Sequence, residues 1–473
     1  MAARDDWLAL LRRTMLHPSA PADARYWAPE LETCSRAELQ ALQTEKLAQA
    51  VRFLYENSRF YRERLDARRL RPADVHSLDD LWKLPITTKQ EMAADLAAHP
   101  PWGTYTAVDD QLWSHGGWLM FTSSGTTAQP RPFRYMLLDR DVWAWTDARA
   151  LWSMGVRPGD RALIAFGYGP HVFMWGLHYA FHLLGVPIIP GGGLDTRARA
   201  RAIATYAPTI LACTPSYALY LGSVMRELGY EPATSSVRII TCGGEPASGV
   251  PATRARIQQL WQAELHEFYG CTEASPSSGG YTCQTEVRQS ERAVATHLME
   301  DTQIWETVDP ETLEPVAPGE RGLAVCTNLC SEASPQLRFL VGDYTVLDPS
   351  PCPCGRTHVR ALGGFQGRAD DLLSIRGLSI FPSAIEDAVR SVASVGDEFQ
   401  IVLDRERDLD VLTIVAEPSP ELPESAWPTA AAAVETEVRA RCEVRPLVEI
   451  RPPGTLPKTE FKARRVVDRR PPV

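Results

Sequence analysis

Between residues 161 and 264, short β-branched or apolar runs alternate with stretches of helical period, and this constrains the fold more than any other feature. RALIAFGYG reads as a strand entering a turn, MWGLHYAFHLLG as a helix, and VPIIPGGG as a second strand and turn. TRARARAIATYA reads as a helix, PTILACTP and VRIITCGGEP as strands, and TRARIQQLWQAEL as a helix. Strand–helix alternation of this kind predicts a parallel α/β sheet. Ligands of such a sheet sit at the loops beyond the strands' C-terminal ends, which directs attention to GYGP and ITCGGEP.

The flanks read differently. Residues 36 to 65 carry Leu39, Leu42, Leu47, Val51 and Leu54 at helical spacing, and Ser35 with Glu38 has the Ser-x-x-Glu form of a capping box. From about residue 300 the texture changes to short strands and turns. The last hundred residues read as a small α+β unit: strands at LLSIRG, FQIVLDR, LDVLTIVAEP and LVEIRPP, helices at AIEDAVRS and AAAVETEVRARCE. A chain of 473 residues exceeds one ordinary core, and no internal repeat is evident.

A formal net charge of -10 argues against a non-specific nucleic-acid binder, which would carry a basic face. No apolar run reaches the roughly 18 residues of a membrane span. The opening MAARDDWLALLRRTM has early acids and a short apolar stretch, unlike a secretory signal, so a cytoplasmic location is expected. The 10 cysteines are scattered as expected of small buried hydrophobes, with Cys352-Pro353-Cys354 as the exception.

Five segments carry candidate chemistry. FTSSGTTAQPRP at 121–132 is a Ser/Thr/Gly loop able to present hydroxyls and N–H groups to phosphate oxygens; its other reading is a surface loop. It lacks the Gly-Lys-Ser/Thr ending of a Walker loop. FYGCTEAS at 268–275 offers the Tyr269 ring to a purine, and Thr272 with Glu273 to phosphate or Mg²⁺. Asp343 in VGDYTVLD is placed to accept ribose hydroxyls. GRADDLLSIRGLSIFPSAIED at 367–387 is a charged, Gly-containing junction that reads as an interdomain hinge. In TLPKTEFKARRVVD at 455–468, a loop lysine matters only if that loop swings over a site.

The order and spacing of these segments resemble the adenylate-forming superfamily, and within it the phenylacetate–CoA ligase family, almost end to end. Further similar stretches are YWAPELETCSRAELQALQTEKLAQAVRFLYENSRFYRERL, FGYGPHVFMWGLHYAFHLLG, CTPSYALYL and IWETVDPETLEPVAPGERG. The resemblance implies a large N-terminal domain over 1–369 and a small mobile domain over 370–473, hinged at Asp370. It implies that Ser123, Ser124, Gly125, Thr126 and Thr127 hold the β/γ-phosphates of ATP, and that Gly243, Gly244, Glu245 and Pro246 line the adenine and acyl pockets. Tyr269 would stack on adenine, Thr272 and Glu273 would serve phosphate and Mg²⁺, Asp343 would hold the ribose with Arg368 close by, and Lys462 would contact the carboxylate and α-phosphate. Tyr168, Gly169, Phe173, Met174, Gly244 and Gly270 would border the acid.

Three departures stand out. Ala128-Gln129-Pro130 replaces the usual Gly-Lys-Pro, with Arg131 as partial substitute for the lysine. Phe461 stands where Gly usually precedes the lysine. Phe173-Met174 stands where Gly-Gly is frequent, which implies a shorter acyl pocket and a compact acid, benzoate-type or other. Some family members carry the CPCGRTH element with an earlier Cys and His; the matching residues Cys283, His297, Cys352 and Cys354 would form a closed structural zinc site, with His358 as the alternative fourth ligand.

The expected activity is ATP-dependent formation of an acyl-AMP from a small, aromatic carboxylic acid, then transfer to CoA. The alternative is a stand-alone adenylating enzyme that passes the acyl group to a separate carrier protein or an amine. A third reading is a degenerate nucleotide-binding protein. A homodimer is a further expectation, as is the absence of nucleic-acid and membrane partners.

Overall fold

The computed structural model describes residues 2–16, 20–123, 130–375, 378–406, 409–458, 463 and 465–470. Among these, one mixed sheet of eleven strands forms the spine. Five neighbouring strands are parallel: Ile188–Pro190, Ala162–Ile164, Ile210–Cys213, Ile239–Cys242 and Glu264–Cys271. The first four are the strands the alternating pattern predicts. The fifth departs from it, since TRARIQQLWQAEL predicts a helix through Leu265 whereas the helix ends at Trp261, where Gln262 turns left-handed, and a strand begins at Glu264. The three inner strands, Ala162–Ile164, Ile210–Cys213 and Ile239–Cys242, are buried throughout, as parallel strands under crossover helices must be, while the edge strand Ile188–Pro190 is not. The crossover helices are Val172–Leu183, Thr196–Tyr206, Pro215–Glu227 and Pro251–Trp261.

Glu264–Cys271 is where the sheet changes character. It runs parallel to Ile239–Cys242 on one side and antiparallel to Ser275–Tyr281 on the other. Beyond it the sheet continues antiparallel through Thr296–Leu298, Arg360–Ala361, Phe339–Asp348, Arg321–Asn328 and Gln303–Val308. The sequence showed short strands here but not their pairing, since antiparallel order leaves no crossover helix to read.

The capping box at Ser35 forms in both directions and starts the helix Arg36–Asn57. The helical run does not continue unbroken to residue 65. Ser58 leaves the helical region, its N–H ends the first helix on Leu54 O, and its side chain caps the next helix, Arg59–Ala67, through Tyr61 N. Leu39, Leu47, Val51 and Leu54 are buried as their spacing requires.

A separate core holds residues from Leu373 onward, including Ile385, Ile401, Ile414 and Val438. It is built on a four-stranded sheet in the order Leu447–Ile450, Leu409–Pro418, Val395–Glu406, Val466–Asp468, with the helices Pro382–Arg390 and Trp427–Cys442. No helix among the described residues is long and apolar enough to cross a membrane.

Candidate active site

The antiparallel hairpin Gly117–Thr122 with Pro132–Met136 closes at Thr122 and Pro132. Ser123 N donates to Arg131 O, and Arg131 N donates to Ser123 Oγ, each at 3.0 Å. These bonds bracket the Ser/Thr/Gly segment; Ser124, Gly125, Thr126 and Thr127 lie outside the described residues. Thr122 N donates to Pro170 O at 3.1 Å, and Tyr135 Oη donates to Thr272 O at 3.0 Å. The hairpin is thereby tied to both the GYGP loop and the FYGCTE segment.

Glu273 is buried and receives a hydrogen bond from Arg131 Nη2 at 2.5 Å, with both side chains only 8% exposed. Arg131, expected as partial substitute for a phosphate-loop lysine, is thus paired with a buried carboxylate. Arg131 takes one carboxylate oxygen, and no group of three or more His, Cys, Asp or Glu ligands gathers around Glu273 among the described residues. Such a donor set suits Mg²⁺ only when substrate phosphates supply most of its oxygens, which is this cation's ordinary mode.

Tyr269 and Asp343, expected to serve adenine and ribose, meet each other. Tyr269 Oη donates to Asp343 Oδ2 at 2.5 Å, and one ring face lies on Phe365 with centroids 3.3 Å apart and planes 6° from parallel. Burial raises the pKa of both groups above their ordinary values; the hydrogen bond from Tyr269 opposes that rise at Asp343. Phe365 was not singled out from sequence, and nothing local marks it. Arg368 bridges to Asp343 through the backbone, and its guanidinium holds Asp370 at 2.7 and 2.5 Å. Asp370 lies in the short turn Ala369–Asp371.

The ITCGGEP loop is held from below by a residue the sequence analysis missed. Glu267, on the strand before the FYGCTE turn, accepts from Ser248 N at 2.6 Å and Ala247 N at 3.2 Å. Burial pushes its carboxyl up to about 7. Gly244 has a φ of +85°, a left-handed conformation that glycine adopts without strain. Gly243 lies against Phe173: a Cβ there would sit 2.9 Å from the ring. Phe173 also meets Phe166 and Phe268 edge-on, at 5.1 and 5.4 Å. It is thus the aromatic wall beside the loop, while Met174 is 1% exposed and packs in the main core. Tyr168 is exposed, its ring set against Trp175 and His178, and Trp175 Nε1 donates to Gly169 O. Gly270 lies near the end of the strand Glu264–Cys271, Thr272 in the turn directly after it, and Pro246 in the ITCGGEP loop.

Glu245 joins the two cores. Oε2 accepts from Ser216 N at 3.2 Å, and Oε1 accepts from Ala463 N at 2.5 Å. Burial raises its pKa, and the two N–H donors oppose that. Lys462 and Phe461 lie outside the described residues; Ala463, the next residue after them, is bonded to Glu245 of the ITCGGEP loop.

Away from this cleft, Cys283, His297, Cys352 and Cys354 converge, all buried, with donor atoms within 4.8 Å of one another. Cys283 Sγ lies 3.9 Å from Cys352 Sγ, and Cys354 Sγ lies 3.6 Å from His297 Nε2. Tetrahedral bonds of about 2.3 Å to sulfur and about 2.0 Å to nitrogen require edges of about 3.8 and about 3.5 Å. Glu286 N points at Cys283 Sγ and Cys354 N at Cys352 Sγ, both at 3.4 Å, donors that favour thiolates. His358 is outside the group: its ring nitrogens face Leu298 O and Leu31 O.

A parallel sheet whose strand-end loops meet a segment of a second, smaller core defines a two-domain adenylate-forming enzyme. Residues 32–327 match the family described as AMP-binding enzyme, and residues 377–470 match the AMP-binding enzyme C-terminal domain; the chain belongs to this family. It is 34% identical to a phenylacetate–coenzyme A ligase of Thermus thermophilus over 94% of this chain and 99% of that one. A crystal structure of 2-hydroxyisobutyryl-CoA ligase in the postadenylation state, with R3-HIB-AMP bound, superposes with a TM-score of 0.89 at 30% identity, covering 96% of this chain and 94% of that one. The same ligase in its thioesterification state, over the same shares of the two chains, gives 0.71.

Proposed function

We propose that this protein, an AMP-forming acid–CoA ligase, activates a compact aryl carboxylic acid with ATP and passes the acyl group to CoA. The carboxylate oxygen attacks the α-phosphorus, the bond to the pyrophosphate oxygen breaks, and pyrophosphate leaves; CoA sulfur then attacks the acyl carbon and AMP departs. Neither step needs a protein nucleophile. The chain's work is to hold the reactants in line and to place fixed positive charge where negative charge develops. The hairpin bracket at Ser123 and Arg131 supports a phosphate site at 123–127, and the Tyr269–Asp343–Arg368 group supports the nucleoside end. Mg²⁺, where bound, supplies charge neutralisation at the phosphates beside Glu273 and Thr272.

The observation that carries the reading is the Ala463–Glu245 hydrogen bond, because it joins the residue next to Lys462 in sequence to the ITCGGEP loop and so supports a role for that lysine there. We assign domains 1–369 and 370–473 with the hinge at Asp370, in keeping with a single core for residues after 373. The higher superposition on the postadenylation state supports an adenylation-type arrangement. Phe173, pressed on Gly243, favours a short aromatic acid over a long one. For the knuckle we propose structural zinc bound by Cys283, His297, Cys352 and Cys354, on the tetrahedral fit of its donors.

The test is acid-dependent pyrophosphate release from ATP by the wild type and by Lys462→Ala. The variant should lose about 10²–10³-fold, the scale of one fixed charge-stabilising donor. Release at the wild-type rate would contradict the assignment.

A further inference from the structure

The interface between the two cores shows how the adenylation arrangement is held. Helix Pro251–Trp261, in the large unit, has no side-chain cap of its own at Val250. Its N-terminal end is capped from the small unit: Ala252 N donates to Asp387 Oδ1 at 2.8 Å, and Thr253 Oγ1 donates to Glu386 Oε1 at 3.1 Å. One turn on, Arg256 returns the capping. Its Nε donates to Arg390 O at 2.7 Å, Nη2 to Val392 O at 2.9 Å, and Nη1 to Gly396 O at 3.1 Å and Asp397 Oδ1 at 3.2 Å. Arg390 ends the helix Pro382–Arg390, whose last carbonyls have no partner within the helix. A cation at a helix C-terminus also meets the negative end of the macrodipole.

We infer that Arg256, with Asp387 opposite, is a latch: reciprocal capping of two helix ends across the interface, which holds the small domain in its adenylation position and must open before thioester formation. Arg256 is a positioning residue. It touches no reactant, yet it holds the body that carries Lys462 and Ala463. Its side chain is 18% exposed, and the interface removes it from water far enough to lower its pKa. Four acceptors from the small unit offset that burial together. A rotation about Asp370 would separate them all at once, returning both helix ends to water. The latch is thereby stable when closed and openable, since each broken hydrogen bond is replaced by one to solvent.

This inference rests on the adenylation reading above, and the two fail differently. The half-reactions are measured separately for wild type, Arg256→Ala and Arg256→Lys: pyrophosphate release with acid and ATP, and thioester formation from supplied aryl-AMP and CoA. Arg256→Ala should slow the first about tenfold or more and leave the second unchanged or faster, with Arg256→Lys in between. Equal loss in both half-reactions, or no loss in either, would overturn the latch. A wild type that forms no acyl-AMP with any acid would instead overturn the proposed function. Should Arg256→Ala fail to fold, Asp387→Asn weakens the opposite half and should give the same split. A readout free of activity is tryptic nicking within 368–377: the variants should be cut faster than wild type, and equal rates would count against the latch.

Discussion

In the Cys–His knuckle every donor belongs to one body. Cys283, His297, Cys352 and Cys354 stand at tetrahedral spacing, and Arg356 reaches from there to Glu32, tying the knuckle to the N-terminal helices. In the catalytic cleft the parts belong to two bodies. Arg131, Glu273, Tyr269 and Asp343 come from the large unit, while the segment beside Ala463 arrives from the small one and is held by Glu245 and the Arg256 contacts. A structural site gains from being complete at rest. A site that runs two reactions in turn must be able to lose one of its walls, so polar contacts hold it rather than a shared apolar core.

Four changes test this contrast. Arg131→Ala should have the largest effect on stability, since it leaves Glu273 buried and unpaired: about 3–5 kcal/mol in urea unfolding, with loss of pyrophosphate release. A near-neutral result would mean that the pair is not the fixed seam of the large unit. Next is Cys354→Ser, which should release the proposed zinc and lower stability on the order of 2–4 kcal/mol while the remaining folded protein still adenylates. Metal analysis of protein purified without chelators checks the ion directly; finding none would remove the knuckle from the comparison.

Phe173→Ala concerns the cleft alone. It should raise kcat/KM for longer aryl acids about tenfold relative to compact ones, by the usual worth of a few methylenes of pocket depth. An unchanged preference would place the pocket end elsewhere. The smallest effect concerns Asp147, fully buried with Ser277 Oγ as its donor, and pushed by burial up to about 7. A carboxyl raised in the folded state stabilises below its unfolded value near 4 and loses that contribution as pH rises toward 7. Asp147→Asn should therefore gain stability relative to wild type progressively between about pH 4 and 7 and hold the gain above that. A pH-independent difference would show that Asp147 does not titrate in this range.

Four of the five parallel strands were legible because each is followed by a helix with its own period, whereas Glu264–Cys271, followed by an antiparallel strand, was not; the Ser35–Glu38 box was legible because both partners lie within one turn. The break at Ser58 was not legible, since Ser58 both ends one helix and caps the next without disturbing the apolar spacing. Site loops could be placed from their motifs, but their partners could not. Phe365 reaches Tyr269 across 96 residues, and Glu267 looks like any polar position of a strand until the loop amides above it are seen. Cys283 and His297 came from the family resemblance rather than from spacing, because no local pattern links them to Cys352 and Cys354. Met174 was grouped with Phe173 by adjacency, whereas consecutive helical residues point about 100° apart and only Phe173 faces Gly243.

The measurement that bears most directly on the central claim is pyrophosphate release from ATP across a panel of aryl and small aliphatic acids, with and without CoA. The account predicts release with a compact aryl acid, and its thioester when CoA is added. Acyl-AMP that accumulates and never yields a thioester with CoA would contradict the acceptor, and silence across the panel would contradict the activity itself.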